Sequence, residues 1–180
     1  MSSTESLFFD TDCLSAFLWI HEESILAKLY PERIVIPEQV YMELSNPCVS
    51  HLKQRVDLLI NSHQARRESI PLGSTAYDLY YKLAYKPDNR HMIIGKGEAA
   101  AISLAKINNG ILASNNFADI SIYINEFGLL HITTGGILKE ALIQKIITEA
   151  EGNILWENML RRRRKLGYPS FSSYLTATKT

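Results

Sequence analysis

Short apolar runs of strand length recur along this chain, and the stretches between them carry apolar residues at every third or fourth position. The runs are Leu7-Phe8-Phe9, Arg33-Ile34-Val35-Ile36, Ile111-Leu112-Ala113 and Leu129-Leu130-His131-Ile132. Strands of this kind alternating with longer amphipathic helices argue for an α/β fold, a parallel sheet with helices on both faces. That alternation limits the architecture more than any other feature of the sequence.

The helical stretches follow from spacing and punctuation. Leu14, Phe17, Leu18, Ile25 and Leu29 predict one helix to Tyr30, ended by Pro31. Pro37 suits a first helical turn, where its missing N–H costs nothing, and the helix it opens carries Val40, Glu43 and Leu44. Further stripes are Leu52, Val56, Leu59 and Ile60, then Ala76, Leu79, Tyr80, Leu83 and Ala84, the latter broken around Pro87-Asp88-Asn89. Glu98 to Ala105 is a strong helix former, and a further helix is expected near Asp119 to Glu126. Gly135-Gly136 opens a helix from Ile137 to about Glu149, and Leu155, Trp156, Met159 and Leu160 mark a last one. Ser69-Ile70-Pro71 reads as a minor strand. There is no repeat, low-complexity tract or linker. The expectation is one domain over residues 1–152, with 153–180 a helical extension packed on or projecting from it.

Composition narrows the class. The chain has 180 residues, enough for a core without staples, and a formal net charge of zero, so any polyanion-binding surface is local. Cys13 and Cys48 stand far apart and in no paired-ligand spacing, which leaves no disulfide framework or zinc ribbon and suggests a reducing compartment. The N-terminus has no secretory pattern, and no apolar stretch reaches the ~18 residues needed to span a bilayer. A cytoplasmic protein with no membrane partner is expected.

Chemistry in such a sheet gathers beyond the carboxyl ends of the strands, where neighbouring connections diverge. Two strands end there in polar clusters: Asp10-Thr11-Asp12, and Ser114-Asn115-Asn116 with Asp119 close behind. Glu43 and Glu98 lie on helices able to face the same edge. Converging carboxylates repel one another unless a cation neutralises them, and hard oxygen ligands favour Mg2+ or Mn2+ over zinc.

These same segments, in the order Phe-Phe-Asp10-Thr-Asp12, Pro-Glu-Gln-Val-Tyr-Met-Glu43-Leu, Gly-Glu98-Ala-Ala-Ala-Ile-Ser-Leu-Ala and Leu-Ala-Ser114-Asn-Asn116-Phe-Ala-Asp119, resemble the PIN-domain nucleases. The resemblance implies a five-stranded parallel sheet and an Mg2+- or Mn2+-dependent ribonuclease. It also implies an RNA substrate and, in many members, a toxin partnered by an antitoxin protein and paired into a homodimer. By position, Asp10, Glu43 and Glu98 are the implied metal ligands, and Ser114 matches a small hydroxyl residue. Asn116 stands where the family has its fourth acid, which is the main departure; Asp119, one turn later, is placed to supply the missing carboxylate.

Each residue also has a plainer role. Asp10 suits a helix N-cap, Asp12 a cap or a neighbour of the ligands, Glu43 a solvated helix face, and Glu98 a favourable charge near a helix N-terminus worth ~0.3–1 kcal/mol. Thr11 fits a structural role or the orientation of a ligand. Gly95-Lys96-Gly97 lacks the pattern of a phosphate loop and reads as a flexible turn. The run Arg161-Arg162-Arg163-Arg164-Lys165 fits an RNA-backbone grip, a solvated helix end or a partner-binding surface alike.

Two other functions compete. Asn116 in the acidic position favours a catalytically silent PIN-like module that binds RNA or protein. Asp10-Thr11-Asp12 also begins the D-x-D pattern of phosphoaspartate hydrolases. Leu14 stands where that pattern has Thr or Val, and no matching lysine or later acidic pair can be placed.

Overall fold

The computed structural model describes residues 4–88 and 92–179, with the backbone alone for residues 117–119. Among them the strands are β1 (Leu7–Phe9), β2 (Ile34–Pro37), β3 (Ala65–Glu68), β4 (Ile111–Ala113) and β5 (Leu130–Ile132). All neighbours pair in parallel, in the order β3-β2-β1-β4-β5. This is the five-stranded α/β sheet expected. The register sets Leu7 opposite both Ile34 and Ile111.

Period-two alternation divides these strands between two cores. Leu7, Phe9, Ile34, Ile36 and Ala113 face one side, packed with residues of α1 (Thr11–Trp19), α2 (Ser24–Leu29), α3 (Glu38–Leu44), α4 (Ser50–Asn61) and α8 (Thr134–Ile143). Phe8, Val35 and Leu112 face the other, against α5 (Thr75–Tyr85), α6 (Lys96–Ile107) and α7 (Phe117–Phe127). With both faces covered, the central strands are apolar throughout, as parallel strands require. Among the described residues, no helix is long and apolar enough to cross a membrane.

Three expected elements differ. The helix predicted from Leu14 to Tyr30 is two, because His21 takes a left-handed conformation (φ 63°) after Trp19. The Glu22 N–H then donates to the Phe17 carbonyl at 3.0 Å, closing the helix end in a Schellman pattern. The apolar spacing hid the break, since Phe17, Leu18, Ile25 and Leu29 enter one core from both pieces. The helix predicted from Ile137 to Glu149 likewise stops at Ile143, Lys145 being left-handed (φ 58°). A new helix, α9 (Glu149–Arg161), starts from a capping box of Thr148 and Glu151. The minor strand lies at Ala65–Glu68 rather than Ser69-Ile70-Pro71. As an edge strand it exposes Arg66 and Arg67, so no apolar run announces it.

The C-terminal segment is built into the larger core. Trp156 and Met159 of α9 and Phe171 of α10 (Phe171–Ala177) are fully or almost fully buried there. Gly152 makes the approach of α10 feasible: a Cβ at that position would lie 2.3 Å from the Phe171 ring.

Candidate active site

The central strands β1 and β4 run side by side, and connections leave them toward opposite edges of the sheet. Their carboxyl ends are therefore the switch point of a doubly wound fold, where a crevice opens. Asp10 and Ser114 sit at that point, joined through the Asp10 N–H, which donates to the Ala113 carbonyl at 3.0 Å. A cavity of about 410 Å3 lies there, lined by Asp10, Thr11, Asp12, Glu43, Glu98 and Asn116, with Arg163, Arg164 and Lys165 among its other lining residues.

Asp10 is buried, 3% exposed, at the N-cap of α1. Its Oδ1 accepts the Cys13 N–H at 2.7 Å, and its carboxylate is also hydrogen-bonded to Ser114. The capping role and a site role are thus held by one side chain. Burial is the largest influence on its pKa; Ser114 and Cys13 oppose it, while the charges of Asp12 and Glu98 add to it. The carboxyl is pushed up from 3.8 to about 7.

Glu43 reaches the same cavity from α3. Its Oε2 accepts the Thr11 hydroxyl, and its Oε1 accepts the Gly97 N–H at 2.9 Å. Gly97 is no flexible turn: it lies in the first turn of α6, packed so tightly that a Cβ would come 2.7 Å from both Glu43 Oε2 and Thr11 Oγ1. Glu98, the next residue, is half-buried, and its Oε1 accepts the Asn116 side-chain amide at 3.2 Å. The Asn116 N–H points back to the Ser114 hydroxyl at 3.3 Å. Asp119 lies within α7, but its side chain falls outside the described residues.

The basic run divides. Arg161 pairs with Glu157 on its own helix at 2.6 Å, and Arg162 lies over the Trp19 ring, 5.6 Å from its centroid. Arg163 (φ 59°) turns the chain, so that Arg163, Arg164 and Lys165 line the cavity. Arg164 donates to Asp12 Oδ1 and to the Ser15 hydroxyl, both at 3.2 Å. Asp12 is therefore paired with a cation from the far end of the chain, a partner that local spacing could not reveal. Asn115, which the sequence places in the polar cluster without assigning it a role, accepts the Thr134 N–H and donates to the Thr134 hydroxyl, both at 2.9 Å, tying β4 to α8. Behind the site, burial lowers the pKa of His131, whose Nε2 meets the Ser114 carbonyl at 2.8 Å.

An all-oxygen donor set suits a hard divalent cation, and the Asp10 pKa is raised chiefly by burial, with the charges of Asp12 and Glu98 adding to it. Among the described residues, however, no three His, Cys, Asp or Glu side chains converge closely enough to hold one ion. Each Glu43 oxygen is engaged once in the hydrogen bonds above, and a carboxylate offers about four lone-pair sites, so capacity remains for an ion.

No protein-family model and no curated protein matches the chain. A solved structure found to be similar is that of VapBC2 from Rickettsia felis bound to a DNA fragment from their promoter. The match covers 71% of this chain and 97% of that one, at 19% identity and a TM-score of 0.47. A likeness this loose does not carry function from one protein to the other.

Proposed function

We propose that the chain is a metal-dependent endoribonuclease hydrolysing RNA phosphodiester bonds. The observation that carries this reading is one cavity with a carboxylate wall of Asp10, Glu43 and Glu98 and a cationic wall of Arg163 and Lys165. That pairing of charges suits a phosphodiester and a divalent cation together, Mg2+ or Mn2+. When bound, such an ion supplies an activated water and stabilises charge on a phosphoryl oxygen.

The chain's own residues prepare the rest. Cys13 and Ser114 fix the Asp10 carboxylate, Thr11 and Gly97 fix Glu43, and Asn116 fixes Glu98. Asp10 and Glu98, whose charges act on each other, would hold the ion, and Glu43 would join them as a third ligand only with a shift of its side chain. Arg163 and Lys165 hold the phosphate, while Arg164 is committed to Asp12 and Ser15. An antitoxin protein is the partner implied by the sequence resemblance, and the exposed cations at the cavity rim suit an acidic segment of one.

The test is cleavage of labelled single-stranded and structured RNAs by wild type and Asp10→Asn, with Mg2+, Mn2+ or EDTA. Circular dichroism on both proteins establishes that the variant is folded. Wild type is expected to cleave only with metal, and the variant to lose more than about 100-fold, since even residues behind metal ligands cost 10–100-fold. EDTA-resistant cleavage, or full activity in the variant, would overturn the proposal.

A second reading is a silent module that binds RNA without cutting it. It is favoured by Asn116, an amide standing where the resembled family has an acid, which already engages a Glu98 oxygen. Binding of RNA with no cleavage under any metal would select it.

A further inference from the structure

Helix α5 carries Tyr77, Tyr81 and Tyr85 at spacing four, one above the next. The Tyr77 and Tyr81 rings have centroids 6.4 Å apart and the Tyr81 and Tyr85 rings 5.5 Å, each pair with planes 26° apart. Near-parallel rings at those separations are slipped sideways as well as stacked, so each leaves part of its face uncovered. Tyr81 and Tyr85 are 45% and 47% exposed. The inward face of the same helix is filled by Tyr80, Leu83 and Ala84; Tyr77 packs partly against that core, while Tyr81 and Tyr85 lie outside it.

A cavity of about 890 Å3 runs along this stripe, lined by Tyr77, Asp78, Tyr81, Lys82, Lys86, Pro87 and Asp88. Lysines thus alternate with aromatic rings along it, while Asp78 and Asp88 keep its net charge low. The stripe leads toward the acidic cavity. Lys96 Nζ lies over the Tyr85 ring, 5.4 Å from its centroid, and the Tyr85 hydroxyl is hydrogen-bonded to both Tyr80 and Lys96. Lys96 opens α6, one residue after Gly95 and two before Glu98, and both of those line the acidic cavity.

We infer that the Tyr77-Tyr81-Tyr85 ladder, with Lys82, Lys86 and Lys96, is a base-stacking platform that guides single-stranded RNA into the acidic cavity. The inference rests on the endoribonuclease reading for its destination, and on the ladder itself for its chemistry. Aromatic faces accept any unpaired base, and lysines beside them follow the phosphates. Bases locked in a duplex cannot reach such faces. Low net charge along the stripe makes stacking, rather than charge, the main source of affinity there.

Binding separates this inference from cleavage. Fluorescence anisotropy would be measured in EDTA with a labelled ten-nucleotide oligoadenylate, and with the same strand annealed to oligouridylate. Wild type is expected to prefer the single strand. Tyr81→Ala and Tyr85→Ala are each expected to weaken it ~5-fold or more, with Tyr81→Phe retaining most of the affinity. Circular dichroism would show that the variants are folded. Equal binding of single strand and duplex would overturn the inference. So would unchanged affinity in both alanine variants, or no RNA binding at all, which would leave the ladder to a protein partner. Selective, tyrosine-dependent binding with no cleavage in any metal would support the platform while removing the nuclease reading.

Discussion

Arg164 bonds the carboxylate of Asp12 at 3.2 Å, and the same nitrogen also reaches the Ser15 hydroxyl, so the turn after α9 is fastened to the first turn of α1. The two partners are 23% and 38% exposed, which places the pair at the rim of the acidic cavity rather than beneath it. Asp12 is one of the charges that raise the Asp10 pKa, and Arg164 is the cation paired with Asp12.

Replacing Arg164 by Ala is therefore expected to act twice. Global stability should fall by about 1 kcal/mol, the usual worth of a partly screened, charge-assisted hydrogen bond. The unpaired Asp12 should raise the pKa of Asp10 further. Urea unfolding of the metal-free protein across pH checks both; an unchanged pH profile would mean that Arg164 does not govern the field at Asp10.

Asp10→Asn is expected to stabilise the metal-free protein at neutral and alkaline pH while removing cleavage. The folded-state pKa of Asp10 lies near 7, above the unfolded 3.8, so the folded state binds the proton more tightly. Below about pH 4 both states are protonated and no penalty arises. As pH rises through the interval to 7 the unfolded state ionises first, and stability declines by on the order of 2–4 kcal/mol. Asn keeps the N-cap acceptor without the charge. The gain in thermal midpoint should thus be largest above pH 7 and vanish near pH 4; a gain independent of pH would point to another cause.

Gly97→Ala is expected to disable the site with a modest loss of stability. Its Cβ would meet Glu43 Oε2 and Thr11 Oγ1 at 2.7 Å, so the Glu43 carboxylate must move and release the Gly97 N–H. The cost is about 1–3 kcal/mol. Metal affinity by isothermal calorimetry should drop along with activity; wild-type affinity would show that Glu43 takes no part in holding the ion.

Asn116→Asp tests the departure from the pattern that the sequence resembles. It removes the amide that donates to Glu98 and adds a carboxylate at the cavity wall. Manganese affinity is expected to rise by about 10-fold, with the metal-free protein losing stability through added repulsion. Weaker binding would assign Asn116 to orienting Glu98.

Most of the acidic wall was legible in the sequence because each part is local. An apolar strand ending in Asp10, a proline-led helix carrying Glu43 and a helix opening at Glu98 are short-range patterns, and the sheet brings their ends together. The cationic wall was legible only as composition. Which of Arg161 to Lys165 face the site depends on the left-handed turn at Arg163, and no spacing rule encodes that turn. Strand β3 escaped notice because an edge strand bearing Arg66 and Arg67 shows no apolar alternation. The breaks at His21 and Lys145 were hidden because the helices on either side of each feed one apolar core. Gly97 was misread because a helical glycine packed against a distant carboxylate looks, in one dimension, like a hinge.

The Arg164–Asp12 bond spans 152 positions of the chain. On a ribosome extending the polypeptide at ~5–20 residues per second, that interval amounts to roughly 8–30 s. Asp10 and Glu43 leave the exit tunnel early and Glu98 past the midpoint, whereas the cations that complete the cavity, and the Phe171 ring packed in the larger core, come last. For that interval Asp12, and the buried Asp10 beside it, stand without the cation that faces them in the finished fold.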